Sequence, residues 1–316
     1  MGLLVEGTWH DKWYDTEKSK GRFIREQSSF RNQITRDGSS GFSAEPGRYH
    51  LYVSYACPWA HRTLIFRVLK NLEEAISVSV VDIYMGSDGW SFSEEDGAIP
   101  DFVNNKKFLH EIYTKEKSDY TGRVTVPVLW DKQKQTIVNN ESSEIILMFN
   151  SEFSCTDDSI DYYPQEQREE IDEVNDFVYK NINNGVYKAG FSTSQEAYEE
   201  AFTNLFNALD KIENTLKQQR YLIGDQITIA DWRLFVTLIR FDVVYVGHFK
   251  CNLRRLEDYP NISNYVRELY QIPGIAETVN FTHIKRHYYE SHKAINPTGV
   301  VPKGPEVDFT TPHNRS

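Results

Sequence analysis

The sequence predicts an α/β domain followed by an all-α domain. Three observations carry this. Short β-prone runs alternate with helical ones before residue 150, and β-prone runs stop after about residue 164. Between them lies a polar, acidic segment, "SEFSCTDDSIDYY" (151–163), which ends before Pro164 and has the composition of a linker. At 316 residues the chain is long enough for two ordinary hydrophobic cores.

The first 46 residues mix acids and bases, as in "HDKWYDTEKSKGRFIREQ", and read as an N-terminal extension with no apolar leader. In the expected α/β domain, residues 47–150, "YHLYVSY" (49–55), "ISVSVVDI" (76–83), "VPVLWD" (126–131) and "QTIV" (135–138) are rich in β-branched and aromatic residues and predict strands. "PWAHRTLIFRVLKNLEE" (58–74) and "ESSEIILMFN" (141–150) place Leu, Ile and Phe at helical spacing. The order is a β-α-β unit, then a hairpin and a helix, interrupted by an insertion at about residues 84–120. In the all-helical domain, residues 164–316, amphipathic helices are predicted over 165–182, 194–219, 228–242 and 261–272. The third begins with Thr228 as N-cap and Asp231 at N3, a pair resembling a capping box, with Ile227 placed to staple onto Trp232.

Charge and composition exclude some partners. A net charge of -11 without a Lys/Arg-rich block argues against nucleic acid, whose phosphates need a basic face. No stretch approaches the roughly 18 apolar residues of a membrane span. The three cysteines, Cys57, Cys155 and Cys251, are too few and too scattered for a disulfide framework, which suits a reducing, cytoplasmic setting.

Cys57 sits in "YVSYACPWAHRTLIF", where a predicted strand runs into a predicted helix. Pro58 is tolerated at N1 because its missing N–H is not needed there, so Cys57 becomes the N-cap. Unpaired N–H groups and the positive end of the helix dipole then favour a thiolate, the reactive form of the residue. A buried, inert cysteine is the plainer alternative for a cysteine taken at random. Ala60 stands at i+3, so no second thiol follows, and a monothiol must borrow its resolving thiol from outside. Glutathione is the thiol a reducing cytosol supplies. His61 lies four residues on, but no second pair with metal-ligand spacing accompanies it, so no metal is expected.

Two further stretches bear on glutathione. Val126 precedes Pro127, which holds it extended, and its backbone could pair with an extended tripeptide; an edge-strand proline is the alternative. In "VNNESSEII", Glu141 and Ser142 open an apolar-periodic run. Helix N-terminal N–H groups there suit a γ-glutamyl carboxylate while Glu141 meets the ammonium; a plain helix cap is the alternative.

With these stretches in this order, the sequence resembles the glutathione transferase superfamily: "ACPWAHR", "TVPVLWD" and "NNESSEII" match its thioredoxin-like half and "LIGDQITIADWRLF" its helical-bundle half. Within it, "CPWAHR", "DGWSF", "RVTVPVLWD", "NNGVYKAGF", "HIKRHYY" and "INPTGVVPKGP" resemble the xi class, the glutathionyl-hydroquinone reductases. The resemblance implies Cys57 as nucleophile, Trp90 as a wall over glutathione, Arg123 and the Val126 backbone as glutathione contacts, and Glu141 and Ser142 as the γ-glutamyl clamp. It implies Tyr187 and Tyr288 as hydrogen-bond partners of the quinone oxygens, with Tyr289 the alternative to Tyr288. Trp90 follows turn residues and could instead anchor the insertion. Glutathione would be a co-substrate, with neither metal nor nicotinamide, in a homodimer acting on glutathionylated quinones. Two other readings remain: an omega-like thiol transferase or dehydroascorbate reductase using the same cysteine, and a non-catalytic scaffold of the same fold.

Overall fold

The structure, a computed structural model, describes residues 2–153 and 160–315; Cys155 and the middle of the expected linker lie outside the described residues. The chain divides into two units. The first comprises Met1–Trp13, Glu26–Ile160 and Thr278–His287, the second Tyr14–Arg25, Asp161–Glu277 and Tyr288–Ser316. The N-terminal segment expected to stand apart is thus shared between the units, and part of the C-terminal region belongs with the first.

The first unit contains, in chain order, β1 (Leu3–Val5), β2 (Thr8–His10), β3 (Tyr49–Val53), α1 (Pro58–Leu69), β4 (Ile76–Val80), α2 (His110–Glu116), β5 (Gly122–Arg123), β6 (Val128–Asp131), β7 (Thr136–Asn139) and α3 (Ser142–Ser151). Its main sheet has the order β4-β3-β6-β7. β3 pairs parallel with β4 across the α1 crossover and antiparallel with β6, which pairs antiparallel with β7. Every residue of β3, "YHLYV", is buried, as expected of a central strand covered on both faces. Leu51, Val53, Ile65, Phe66, Leu129, Ile145 and Phe149 are fully buried in this unit and belong to its core.

A second, three-stranded sheet, β2-β1-β5, was not predicted. Its strands are two or three residues long, below the length at which alternation is legible. β1 and β2 form a hairpin whose turn residues, Glu6 and Gly7, both have positive φ. At Gly7 a side chain would also meet the Ser118 carbonyl oxygen at 1.9 Å, so only glycine fits.

The second unit holds α4 (Arg168–Val178), α5 (Gly185–Gly190), α6 (Gln195–Gln218), α7 (Ile229–Leu238) and α8 (Pro260–Tyr270). The last helix, α9 (Phe281–Ser291), lies beyond the four helical stretches predicted. α7 starts with the capping box expected of Thr228 and Asp231.

Candidate active site

β3 ends at Val53, and a short turn follows in which Ser54 Oγ accepts the Ala56 N–H (3.2 Å) and the Ser54 carbonyl accepts the Cys57 N–H (3.1 Å). Cys57 then caps α1 in an extended conformation (φ −77°, ψ 120°), with Pro58 in the first turn. Its carbonyl accepts the His61 N–H at 3.0 Å, the first bond of the helix. No side-chain capping bond consumes the sulfur, which lies 3.7 Å from the Val126 carbonyl oxygen. Cys57 is half-buried, whereas Cys251 is fully buried and burial pushes its thiol well above the usual range. The geometry leaves Cys57 as the accessible thiol among the described cysteines.

Five other predicted residues belong to the same unit, three of them at the starts of β6 and α3. Val126 is joined to Pro127 by a cis peptide bond directly before β6. Glu141 is the N-cap of α3; one of its carboxylate oxygens accepts the Ser143 N–H (3.1 Å) and hydroxyl (2.9 Å), and the other accepts the Ser28 hydroxyl (3.1 Å). Ser142 is buried, and the buried Arg62 of α1 reaches its hydroxyl with Nη1 at 3.4 Å. The Arg62 guanidinium lies over the Trp59 ring at 4.6 Å, so a cation is held between the two helices whose N-termini carry Cys57 and Glu141. The start of α3 therefore sets the Glu141 carboxylate, which already accepts the Ser143 N–H, beside the buried Ser142 hydroxyl.

Trp90 and Arg123 are engaged within the protein. Trp90 is buried and stacks on His287 (4.7 Å, 21° between planes), while the His287 Nδ1 lies 2.9 Å from the Ile83 carbonyl oxygen. The Arg123 guanidinium holds the carbonyl of Lys12, that of Trp13 (3.2 Å) and the carboxylate of Glu26 (3.4 Å). It ties down the start of the chain, a partner no local pattern foretells. His61, weighed as half of a metal pair, has Nε2 at 2.8 Å from the Thr278 hydroxyl.

Tyr187 and Tyr288 belong to the second unit and meet there, hydroxyl to hydroxyl, at 2.5 Å. Tyr288 Oη also lies 3.2 Å from that of Tyr245, a residue the sequence reading passed over among 19 tyrosines. Burial pushes the phenols of Tyr288 and Tyr245 well above 10, so both keep their protons at neutral pH. Tyr187 rides on α5, where Gly190 allows the ring of Phe249 to approach: a Cβ there would meet it at 2.1 Å. Phe249 in turn packs edge-on to Tyr187 (5.5 Å), and the Arg25 guanidinium covers the Tyr187 ring at 4.9 Å. Tyr289 is placed elsewhere, against His248 (4.7 Å between rings), so Tyr288 is the one that joins the phenol cluster.

The glutathione S-transferase N-terminal domain family matches residues 56–152, and the C-terminal domain family matches residues 195–268. Among curated proteins the chain is 54% identical to the glutathionyl-hydroquinone reductase YqjG of Escherichia coli, over 100% of this chain and 98% of that protein. It is 54% identical to the glutathionyl-hydroquinone reductase PcpF of Sphingobium chlorophenolicum, over 96% of each. The glutathione-bound structure of YqjG superposes with a TM-score of 0.92 at 51% identity, covering 99% of both chains. An Xi class GST from Natrialba magadii gives 0.93 at 49%, covering 100% of this chain and 96% of that one.

Proposed function

The chain belongs to the glutathione S-transferase family and within it to the Xi class, and on that premise we infer that it reduces S-glutathionyl-hydroquinones to hydroquinones at the expense of glutathione. The observation that carries this reading is the cysteine at a helix N-cap, the accessible one among the described residues, with alanine, not cysteine, at i+3. Such a thiol can form a mixed disulfide but cannot resolve it alone.

In the first step the Cys57 thiolate attacks the sulfur of the substrate in its keto tautomer. The S–S bond to glutathione forms, the carbon–sulfur bond breaks, and its electron pair passes into the ring as the phenolate, which takes a proton to become hydroquinone. The ring carbon is reduced and the two sulfurs are oxidised. In the second step a glutathione thiolate attacks the mixed disulfide, releasing oxidised glutathione and restoring Cys57.

Glutathione is assigned to the Val126 backbone and to Glu141 and Ser142, with Trp90, backed by His287, as its wall. Arg123, whose guanidinium is taken up by Lys12, Trp13 and Glu26, is assigned to holding the N-terminal segment rather than to the ligand. Tyr187 and Tyr288 are assigned to the hydroquinone oxygens. We further place the enzyme in the cytoplasm, as a homodimer, where glutathione keeps the cycle running. Among the described residues no helix is long and apolar enough to cross a membrane.

Cys57→Ser tests the reading. Serine caps a helix at least as well as cysteine, so the fold should persist. The variant should lose all reduction of a glutathionyl-hydroquinone and fail to gain the mass of glutathione on exposure to oxidised glutathione. Retained turnover would require a different nucleophile. Wild-type turnover of dehydroascorbate in preference to the glutathionyl-hydroquinone would favour the thiol-transferase reading instead.

A further inference from the structure

We propose that Tyr113, in the insertion helix α2, is a positioning residue for glutathione, its hydroxyl fastening together the two backbone segments that carry Val126 and Glu141. The proposal rests on the assignment of those residues to glutathione.

Tyr113 is fully buried. Its hydroxyl donates to the Thr125 carbonyl (2.8 Å) and accepts both the Thr125 N–H (3.3 Å) and an N–H of the Asn140 side chain (3.1 Å). A phenol has one proton and two lone pairs, so these two residues use its whole hydrogen-bonding capacity. Thr125 directly precedes Val126, and Asn140 directly precedes Glu141. One oxygen atom therefore sets the spacing between the strand-side and the helix-side contacts proposed for the tripeptide.

The far side of the clasp is also fixed. Asn140 exchanges backbone-type bonds with Phe30: its Oδ1 accepts the Phe30 N–H (3.1 Å) and its own N–H donates to the Phe30 carbonyl (3.1 Å). The Phe30 ring meets Tyr113 edge-on at 5.8 Å. Burial pushes the Tyr113 phenol up to about 12, so it keeps the proton that the Thr125 carbonyl receives. An extended ligand gripped at two segments is sensitive to their separation, because an error in spacing forces it to give up one end.

The test is Tyr113→Phe in the full-length protein, which keeps the ring and leaves the Thr125 backbone and the buried Asn140 amide without their oxygen. Glutathione affinity is measured by calorimetry in a Cys57→Ser background, and steady-state kinetics and iodoacetamide alkylation are followed with Cys57 present. The dissociation constant and the KM for glutathione should rise about 5- to 100-fold. The kcat should stay within about 3-fold and the alkylation rate of Cys57 should not change, a split that general loosening of the fold would not give. Unchanged affinity in Tyr113→Phe, with affinity lost in Glu141→Gln, overturns the proposal and leaves the glutathione assignment standing; unchanged affinity in both overturns the two together. A parallel fall in affinity, kcat and alkylation also overturns it. If Tyr113→Phe does not fold, Asn140→Asp serves: it keeps the acceptor for Phe30 but turns the donor to the phenol into a competitor for its proton. The same split is expected there, and its absence overturns the proposal.

Discussion

At the scale of single residues, the proposed mechanism asks for a thiol that ionises and phenols that do not. The N-cap position of Cys57 was legible because everything that marks it is local: a strand before it, Pro58 after it, Ala60 where a second cysteine would stand. Tyr187 and Tyr288 were not legible that way, since 101 positions separate two hydroxyls 2.5 Å apart, and only resemblance singled them out. Tyr245 and Tyr113, with no local mark, were missed. Because burial holds the Tyr288 phenol well above 10, it is a donor throughout the neutral range. If Tyr187 or Tyr288 donates to the developing phenolate, Tyr→Phe at that position should slow hydroquinone release by about 10- to 1000-fold, the range for losing an oxyanion donor. Reduction of a small aliphatic glutathione mixed disulfide, which forms no phenolate, should hardly change. An equal loss on both substrates would assign these tyrosines to the fold.

At the scale of elements, capping decides where helices begin, and this was the most readable part of the sequence. The starts of α1, α3 and α7 fall where Cys57, Glu141 and Thr228 predicted them. Strand ends were less readable: "ISVSVVDI" predicts a strand through residue 83, but β4 stops at Val80, which also exchanges hydrogen bonds with Ile99 (3.0 and 2.9 Å); Val81 still donates to the Val53 carbonyl of β3 (2.9 Å), and Asp82 donates to the Ser91 carbonyl instead (2.9 Å). That switch of partner lies across the insertion and leaves no trace in periodicity. At the head of α7 the structure adds what the capping-box pattern omits. The buried Asp231 carboxylate accepts not only the Thr228 N–H (2.8 Å) but also the Leu222 N–H (3.0 Å) and the Tyr265 hydroxyl (2.8 Å). Thr228→Ala should therefore cost about 1 to 2 kcal/mol, a cap alone. Asp231→Ala, which leaves four buried donors unmet, the Thr228 hydroxyl (3.1 Å) among them, should cost about 3 kcal/mol or more. Urea unfolding of the two variants checks the order; equal losses would mean that Leu222 and Tyr265 find other acceptors.

At the scale of the molecule, the division into an α/β part and a helical part follows from the change of pattern near residue 150, but the path of the first residues does not. Met1–Trp13 joins the first unit and Tyr14–Arg25 the second, through a two-residue strand pairing and side-chain contacts that polar, mixed-charge sequence cannot announce. The first unit's stability also carries a titration that its sequence gives no hint of. His50, fully buried in β3, lies between two hydroxyls of β4, Ser77 (2.8 Å from Nδ1) and Ser79 (3.0 Å from Nε2). Burial lowers its pKa from 6.5 to about 3, with Lys132 and Arg67 adding to the effect. The unfolded chain takes up a proton near pH 6.5 that the folded chain refuses until about pH 3, so the folded state binds fewer protons in that window. Stability is complete above pH 6.5 and is lost as the pH falls, by at most about 1.4 kcal/mol per pH unit for this one group. His287, held near 4 by burial, acts with the same sign. Urea unfolding of wild type and His50→Gln at about pH 7 and about pH 5 should give a variant that is less stable at neutral pH yet loses about 2 kcal/mol less on acidification. Parallel losses would show that the unit opens enough for the His50 imidazole to take its proton in the folded state.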